Sequence, residues 1–592
     1  MVPKYVNIAR NWIRNCTHDH TVCNDGVSED FLPTRLLDVG SPNDKLCTLR
    51  TTTNFPGGKY KYVTLSHSWG TAKFLKLEAG NFSRFESGIQ LTALTKTFRD
   101  AISVTQGLGI RYLWIDALCI IQGPTLDDWA IEASRMCDVY RNSWCNISAL
   151  WATDHQRGFL PLAQPDLSCW TTINIDWDDL GEPNDWVILD QSIWTEEVAK
   201  APLNKRAWVL QERILPPRQL YFGRNDVLWQ CYEFSSFSLV PDLCHPHSYT
   251  GEPFGNNLSE KFFERKRANG QKDALSLWAQ YVDLYSVCAL TKPEDKLVAI
   301  AGIAQDINRT FPADEYIVGV WRSQLPNQLM WRAEMVPVSG NSNIAKGSST
   351  PEPLTIPSQP GDPAYRSPSW SWAYTQVPIV AFRDAYSHEQ DIPLVDIKRT
   401  ELNFTVPSLP YGQVLDARLV LHGIPIPVSH SIDGRRHKLS QLSPIPAPIT
   451  RLTTYFDKPF SSPWNGNTEC DRNLYLLPLR YTCWRTGSGA QAETTGLLLV
   501  RWKATINSRV QYSRVGMFFA FGVKNCDNFG VIFEEIECRR EATIRERERK
   551  IKSNGYWITE DGGDGLVERE SDKKLVVAKE VDQSRWEDIV LI

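Results

Sequence analysis

The sequence predicts an α/β chain. Its first half reads as a parallel sheet with flanking helices, followed by a helical segment and then a mostly antiparallel β unit. Two observations carry this. Between residues 56 and 235, short apolar runs rich in β-branched residues alternate with segments of helical periodicity, the pattern of strands joined by right-handed crossovers. Beyond residue 370, short β-type runs follow one another with only turn residues between them.

Residues 1–55 form a lead-in segment ending in LPTRLLDVG. After the turn signal Pro56-Gly57-Gly58, YVTLSHSW reads as a buried strand. Leu94, Phe98, Ala101 and Ile102 then repeat at helical spacing, and Gly107 and Gly109 stop that helix. YLWIDALCII, too short for a lone helix, reads as a second buried strand. Leu126, Trp129, Ala130, Ala133, Met136, Cys137 and Tyr140 make one apolar stripe. Thr125 stands at its N-cap, and Asp127 and Asp128 suit the positive end of its dipole. WCNISAL is the third strand. Residues 205–215 carry Trp208, Leu210, Ile214 and Leu215 among polar neighbours, and Pro216-Pro217 end that helix. QLYF and VLWQC follow as strands.

Helical patterns dominate the extension 236–336, including FFERKRANGQKDALSLWAQYVDLYS and YIVGVWRSQLPNQLMW. Residues 337–368, rich in Pro, Ser and Gly, read as a long loop. In the last unit, 369–592, LVLHG, LYLLPL, GLLLVRW and RVGMFFAF read as strands, and RREATIRERERKIK as a charged surface helix.

Composition narrows the function classes. Hydrophobic residues make up 42% and charged residues 22% of the 592, an ordinary globular balance. The 22 tryptophans point to aromatic-rich cores rather than disorder. A net charge of -5 argues against nucleic acid as a partner, because such binders neutralise many phosphates. The 14 cysteines include no CxxC pair and suit a reducing compartment. MVPKYVNIARNWIRN lacks an apolar signal core, and the longest apolar run, LVAIAGIA, is too short for a bilayer. The expectation is a cytoplasmic protein without a membrane segment.

Four segments, in order, resemble the fungal heterokaryon-incompatibility (HET) domain over about residues 60–232. They are YVTLSHSWG, YLWIDALCII, MCDVYRNSWCNISAL and RAWVLQERILPPRQLYF. Further pieces resemble the extended form of such proteins: Trp12, Cys16, His20 and Cys23, then LTKPEDKLVAIAGIA, YIVGVW and SPSWSWA. The resemblance implies programmed cell death on non-self recognition in filamentous fungi, with protein partners or self-association. It also implies a fold similar to the Toll/interleukin-receptor (TIR) domain, a flavodoxin-like arrangement. Some TIR-like domains hydrolyse NAD and others act only as adaptors, so NAD is implied as a substrate at most, and no cofactor is assigned. The chain departs from the family at His67, where an aromatic is usual, and at Ile121, where Asn or Asp is usual. Ala207 and Val209 replace the usual Gly and Thr.

Glu212 is the leading catalytic candidate. Cleaving the glycosidic bond of NAD passes through an oxocarbenium-like state, which a carboxylate can stabilise or attack. Trp208 lies four residues earlier on the same helical face, a spacing similar to that of TIR-like hydrolases. The structural alternative is a surface acid pairing Arg206 or Arg213. Asp116, an acid inside an apolar strand, either faces a ligand at the strand's carboxyl end or forms a buried pair with an arginine such as Arg206. Ser66, His67, Trp69 and Gly70 occupy the turn after the first strand, where a loop can cradle a phosphate or ribose or simply pack on Trp69. Cys16, His18, His20 and Cys23 are packed too tightly for ordinary zinc-finger spacing, and one amphipathic helix would also explain them. Trp208, Trp229, Trp370 and Trp372 are expected in the core.

Overall fold

The computed structural model describes residues 4–123, 127–154, 156–160, 170–175, 184–189, 193–238, 241, 271–334, 360, 365–382, 392–407, 410–433, 436–441, 451–457, 470–486, 489–506, 509–521 and 587–592. The chain divides into two compact units: Met1–Tyr316 with Val406–Gln413, and Ile317–Thr405 with Val414–Ile592. Thr125, the loop 337–359 and the charged segment 539–552 lie outside the described residues.

The first unit opens with α1 (Lys4–Asp19), β1 (Arg35–Asp38), β2 (Leu46–Thr51) and β3 (Tyr62–Ser66). Then come α2 (Phe82–Ser87), β4 (Ile89–Gln90), α3 (Lys96–Gly107) and β5 (Tyr112–Trp114). A single helical turn, α4 (Asp116–Cys119), precedes α5 (Asp127–Arg141) and β6 (Cys145–Ala149). β7 (Trp170–Ile175) and β8 (Asn184–Leu189) form a separate hairpin. α6 (Ala207–Ile214), β9 (Arg218–Phe222), β10 (Val227–Cys231) and β11 (Ser235–Phe237) follow.

One nine-stranded sheet runs β11-β10-β9-β6-β3-β5-β1-β2-β4. Its middle, β9-β6-β3-β5, is parallel, and every pairing outside it is antiparallel. β3, β6 and β9 are buried along their whole length, as strands covered on both faces must be, which explains their near-continuous apolar sequence. The lead-in contributes β1 and β2 directly to this sheet.

The helices form where the periodicity requires. In α3 the Thr95 hydroxyl accepts from the Phe98 amide at 3.5 Å, and Phe98, Ala101, Ile102 and Thr105 face the core. α5 buries Ala133, Met136, Cys137 and Tyr140. Two further helices, α7 (Gln271–Ser286) and α8 (Val298–Thr310), complete the unit. α8 packs on both α5 and α6. Gly302 permits that approach, since a Cβ there would meet Gln211 Oε1 at 2.4 Å.

Two expectations need correction. YLWIDALCII is not one strand: β5 stops at Trp114, and the chain turns into α4 at Asp116. YIVGVW is not helical, and only short 3-10 turns, Arg322–Gln324 and Asn327–Met330, follow it. Tyr316–Ile317 and Val320–Trp321 pair across a tight turn in which Val318 (φ 46°) and Gly319 (φ 96°) are left-handed. β-branched residues around a glycine favour that turn over a helix.

The second unit is mostly antiparallel, as expected. Cys470–Thr486, Gly489–Ile506 and Arg509–Phe521 pair in succession, and Val414–Gly423 pairs with Asp396–Phe404. Glu587–Leu591 sits between Val414–Gly423 and Arg509–Phe521, antiparallel to the first and parallel to the second. Trp370 and Trp372 are buried, as is Trp229 in the first unit. No described helix is long and apolar enough to cross a membrane.

Candidate functional site

The parallel strands set the position of the site. The chain leaves β3 toward β5 on one side, crosses back to β6 on the other, and continues outward to β9. The connections from β3 and β6 therefore diverge, and a crevice belongs at their carboxyl ends. Ser66 and Ser148 are register partners at that end. Asp116 begins the turn just past β5.

A buried amide holds the floor together. Asn146, in the middle of β6, donates through Nδ2 to Ser66 Oγ (3.0 Å), Ser148 Oγ (3.2 Å), Gln219 Oε1 (2.9 Å) and the Glu212 carbonyl (3.3 Å). Its Oδ1 accepts from Thr64 Oγ1 at 2.8 Å. Gln219, on β9, donates to the carbonyls of Glu212 and Arg213 at 2.8 and 2.9 Å. These bonds tie the last turn of α6 to three parallel strands.

The Glu212 side chain points into this floor and is only 6% exposed. Burial pushes its carboxyl up to about 7, against bonds from Ser66 and Tyr140 and the charge of Arg206, which lower it; Asp116 raises it further. Glu212 is thus close to half protonated at neutral pH. Tyr140, stacked edge-on against Trp114 at 5.6 Å, has its phenol pushed well up by burial and then by the Glu212 charge.

Glu212 is therefore not a surface acid. Along α6 only Trp208 escapes full burial, and among the described residues no ion pair joins Glu212 to Arg206 or Arg213. Arg206 instead donates to the His67 carbonyl at 2.5 Å. Arg213 lies over the Tyr221 ring at 5.9 Å.

Asp116 is the acid that faces outward, with a side chain 28% exposed. Its Oδ2 accepts from Trp69 Nε1 at 2.9 Å, its Oδ1 accepts from the Ala117 amide at 2.7 Å, and His67 Nδ1 lies 3.7 Å from Oδ1. The buried pair with Arg206 does not form. His67 is buried edge-on against Phe98 at 5.0 Å. Trp69 is half-buried, with the Lys76 ammonium 4.6 Å from its ring centre. Gly70 is exposed and left-handed at φ 62°, which lets the chain turn sharply after Trp69. Ser66, His67, Trp69, Asp116 and Glu212 thus share one carboxyl edge, graded from solvent-facing Asp116 to enclosed Glu212.

Trp208 is occupied elsewhere: it packs edge-on against Trp129 at 6.1 Å and hydrogen-bonds to Asp295. Ile121 takes part through its backbone, donating to Asp128 Oδ2 at 2.8 Å. That carboxylate also binds Arg35, whose Nε donates to the Cys119 carbonyl at 2.6 Å.

The cysteine and histidine candidates separate. His18 is exposed and lies against Asp19 at 2.5 Å, away from the rest. Cys16, His20 and Cys23 do converge, and Cys231 from β10 joins them.

Sequence reasoning missed Tyr140, Asn146, Gln219 and Cys231 as site residues. Asn146 and Gln219 are polar residues inside apolar strands, the same signal that singled out Asp116. Tyr140 was hidden within the apolar stripe of α5. Cys231 carries no local signal, because it lies 211 positions from His20.

The family model described as Heterokaryon incompatibility protein (HET) matches residues 62–212. No curated protein and no solved structure matches the chain. The match opens on the first residue of β3 and closes on Glu212, enclosing every residue of the carboxyl-edge cluster except Gln219. Residues 62–212 of this chain are a heterokaryon-incompatibility domain, and the polar cluster apart from Gln219 on β9 lies within it.

Proposed function

We propose that the chain is a cytoplasmic signalling module of fungal non-self recognition, which triggers cell death when its HET domain clusters with protein partners or with itself. The family match to residues 62–212 is the observation that carries this reading. In chain order the parallel strands run 2-1-3-4 across the sheet, which supports a flavodoxin-like, TIR-type core with antiparallel strands added at both edges.

The NAD glycohydrolase alternative requires Glu212 to meet a substrate as an ionised carboxylate. Its enclosure and raised pKa count against that role in this conformation, and the partly exposed Asp116 is the more accessible acid. Fold similarity alone does not select between adaptor and enzyme.

Inducible expression of the full chain in a filamentous fungus tests the proposal. Growth arrest by the wild type, weakened by Asp116→Asn at equal abundance and melting temperature, is the expected result. A folded, abundant wild type that leaves growth unchanged, alone and in confronted incompatible strains, sinks it. A fall in cellular NAD that disappears in Glu212→Gln transfers the account to the hydrolase.

A further inference from the structure

A second cluster lies in the first unit, built from residues that the carboxyl edge does not use. Cys16 stands in the last turn of α1, His20 just beyond the helix, Cys23 in the following turn and Cys231 at the end of β10. Their three sulfurs and one ring nitrogen all lie within 4.8 Å of one another. His20 Nδ1 is 3.7 Å from Cys23 Sγ and 3.3 Å from Cys231 Sγ. Tetrahedral zinc with bonds of about 2.3 Å to sulfur and 2.0 Å to nitrogen sets its ligands roughly 3.5–3.8 Å apart, close to the two His20–sulfur distances and within the reach of the whole cluster.

We propose that Cys16, His20, Cys23 and Cys231 form a structural zinc site. Four protein ligands close the coordination sphere, which leaves no position for water or substrate and makes the role structural rather than catalytic. Binding converts three thiols to thiolates and releases their three protons, leaving the Zn²⁺ centre with a net single negative charge. Arg218 is placed to offset it: this buried guanidinium donates from Nε to Cys16 Sγ at 3.2 Å. The same guanidinium hydrogen-bonds to Asn24 and lies over the Trp144 ring at 5.0 Å.

The backbone is shaped to present the ligands. The His20 amide donates to the Cys16 carbonyl at 3.3 Å, and Asn24 Nδ2 donates to the His20 carbonyl at 2.7 Å. Packing already brings the two segments together, with Trp12 stacked on Trp229 at 6.0 Å and the Val22 amide bound to Glu233 at 2.9 Å. Zinc would pin α1 and its following turn to β10, closing a loop of more than two hundred residues around the HET domain.

Metal analysis of the full chain tests this, after purification from zinc-supplemented cells with any metal-binding tag removed. The wild type is expected to hold one zinc per chain. Cobalt(II) exchanged into the site is expected to show thiolate-to-metal charge transfer and tetrahedral d–d bands. Cys231→Ser should release the metal to a chelator at least about tenfold more readily, while His18→Ala should match the wild type. A folded wild type that carries no zinc and gives no thiolate–cobalt spectrum overturns the proposal, whatever the variants do. Cys231→Ser that holds zinc as tightly as the wild type also overturns it.

Discussion

Each unit of the molecule buries a charged side chain, and the two do so in opposite ways. In the second unit Arg514 is fully enclosed and Asp457 lies against it. Arg514 Nε donates to Asp457 Oδ2 at 2.9 Å and Nη2 to Oδ1 at 3.0 Å, while the remaining donors reach the carbonyls of Leu329 and Trp331. The guanidinium lies over the Trp331 ring at 3.5 Å. Charge and hydrogen-bonding capacity are matched on both sides. In the first unit Glu212 has two hydroxyls for partners, and Arg206 acts only from beyond contact distance. Its charge is under-compensated, so its pKa rises toward neutrality. Burial of a charge is therefore not by itself a mark of function. A matched pair organises a core, whereas an under-compensated acid is left to titrate near neutrality.

The largest effect should come from breaking the matched pair. Asp457→Ala leaves Arg514 charged, buried and short of its carboxylate, and is expected to cost about 3–5 kcal/mol in urea unfolding. A loss under about 1 kcal/mol would erase the contrast, because the pair would then be no better compensated than Glu212.

Removing the amide that organises the other site comes next. Asn146→Ala strips partners from Ser66, Thr64, Ser148 and Gln219, and is expected to cost about 2 kcal/mol. It should also free Ser66 from its fixed position and push the Glu212 pKa further up. A downward shift would show that the amide network is not what orients Ser66 toward the carboxyl.

Asp116→Asn should have the smallest effect on stability, under about 1 kcal/mol, since the side chain is partly exposed and Asn keeps an acceptor for Trp69. Its signature should be optical, a change in Trp69 emission as the carboxylate charge beside the indole disappears. Unchanged emission would place Trp69 away from that carboxylate in solution.

Much of this fold was legible in the sequence. β3, β6, β9 and β10 and the helices α3, α5 and α6 follow from apolar runs and helical periodicity, because burial on both faces leaves a continuous apolar signature. The match to residues 62–212 bears out the HET reading made from four short motifs. YLWIDALCII misled because nothing in its apolar run marks where β5 stops, and the turn at Asp116 is set by tertiary contacts with Trp69 and His67. YIVGVW misled because each strand of its six-residue hairpin is only two residues long, too short to show an alternation. At the site, Asp116 was legible as an acid inside an apolar run, Ser66 and His67 by their place at the end of the first strand, and Glu212 through the resemblance and its spacing from Trp208. The burial of α6 was not visible, since its alternating polar residues imitate a surface helix. That burial depends on α8, nearly a hundred residues away.

The contrast rests most directly on the protonation of Glu212. Its folded pKa of about 7 lies above the ordinary 4.5, so the folded state holds a proton that the unfolded chain gives up between those values. This acid therefore adds nothing below about pH 4.5, and stability falls as pH rises from there to about 7, then levels off. The span amounts to about 3 kcal/mol. Glu212→Gln keeps the neutral shape and removes the titration. The measurement is the unfolding free energy of wild type and Glu212→Gln across pH 5 to 8. The account predicts that the variant gains steadily on the wild type up to about pH 7, by about 3 kcal/mol in all, and then holds that margin. Parallel profiles would contradict it, by showing that the Glu212 carboxyl is as well compensated as the Arg514–Asp457 pair.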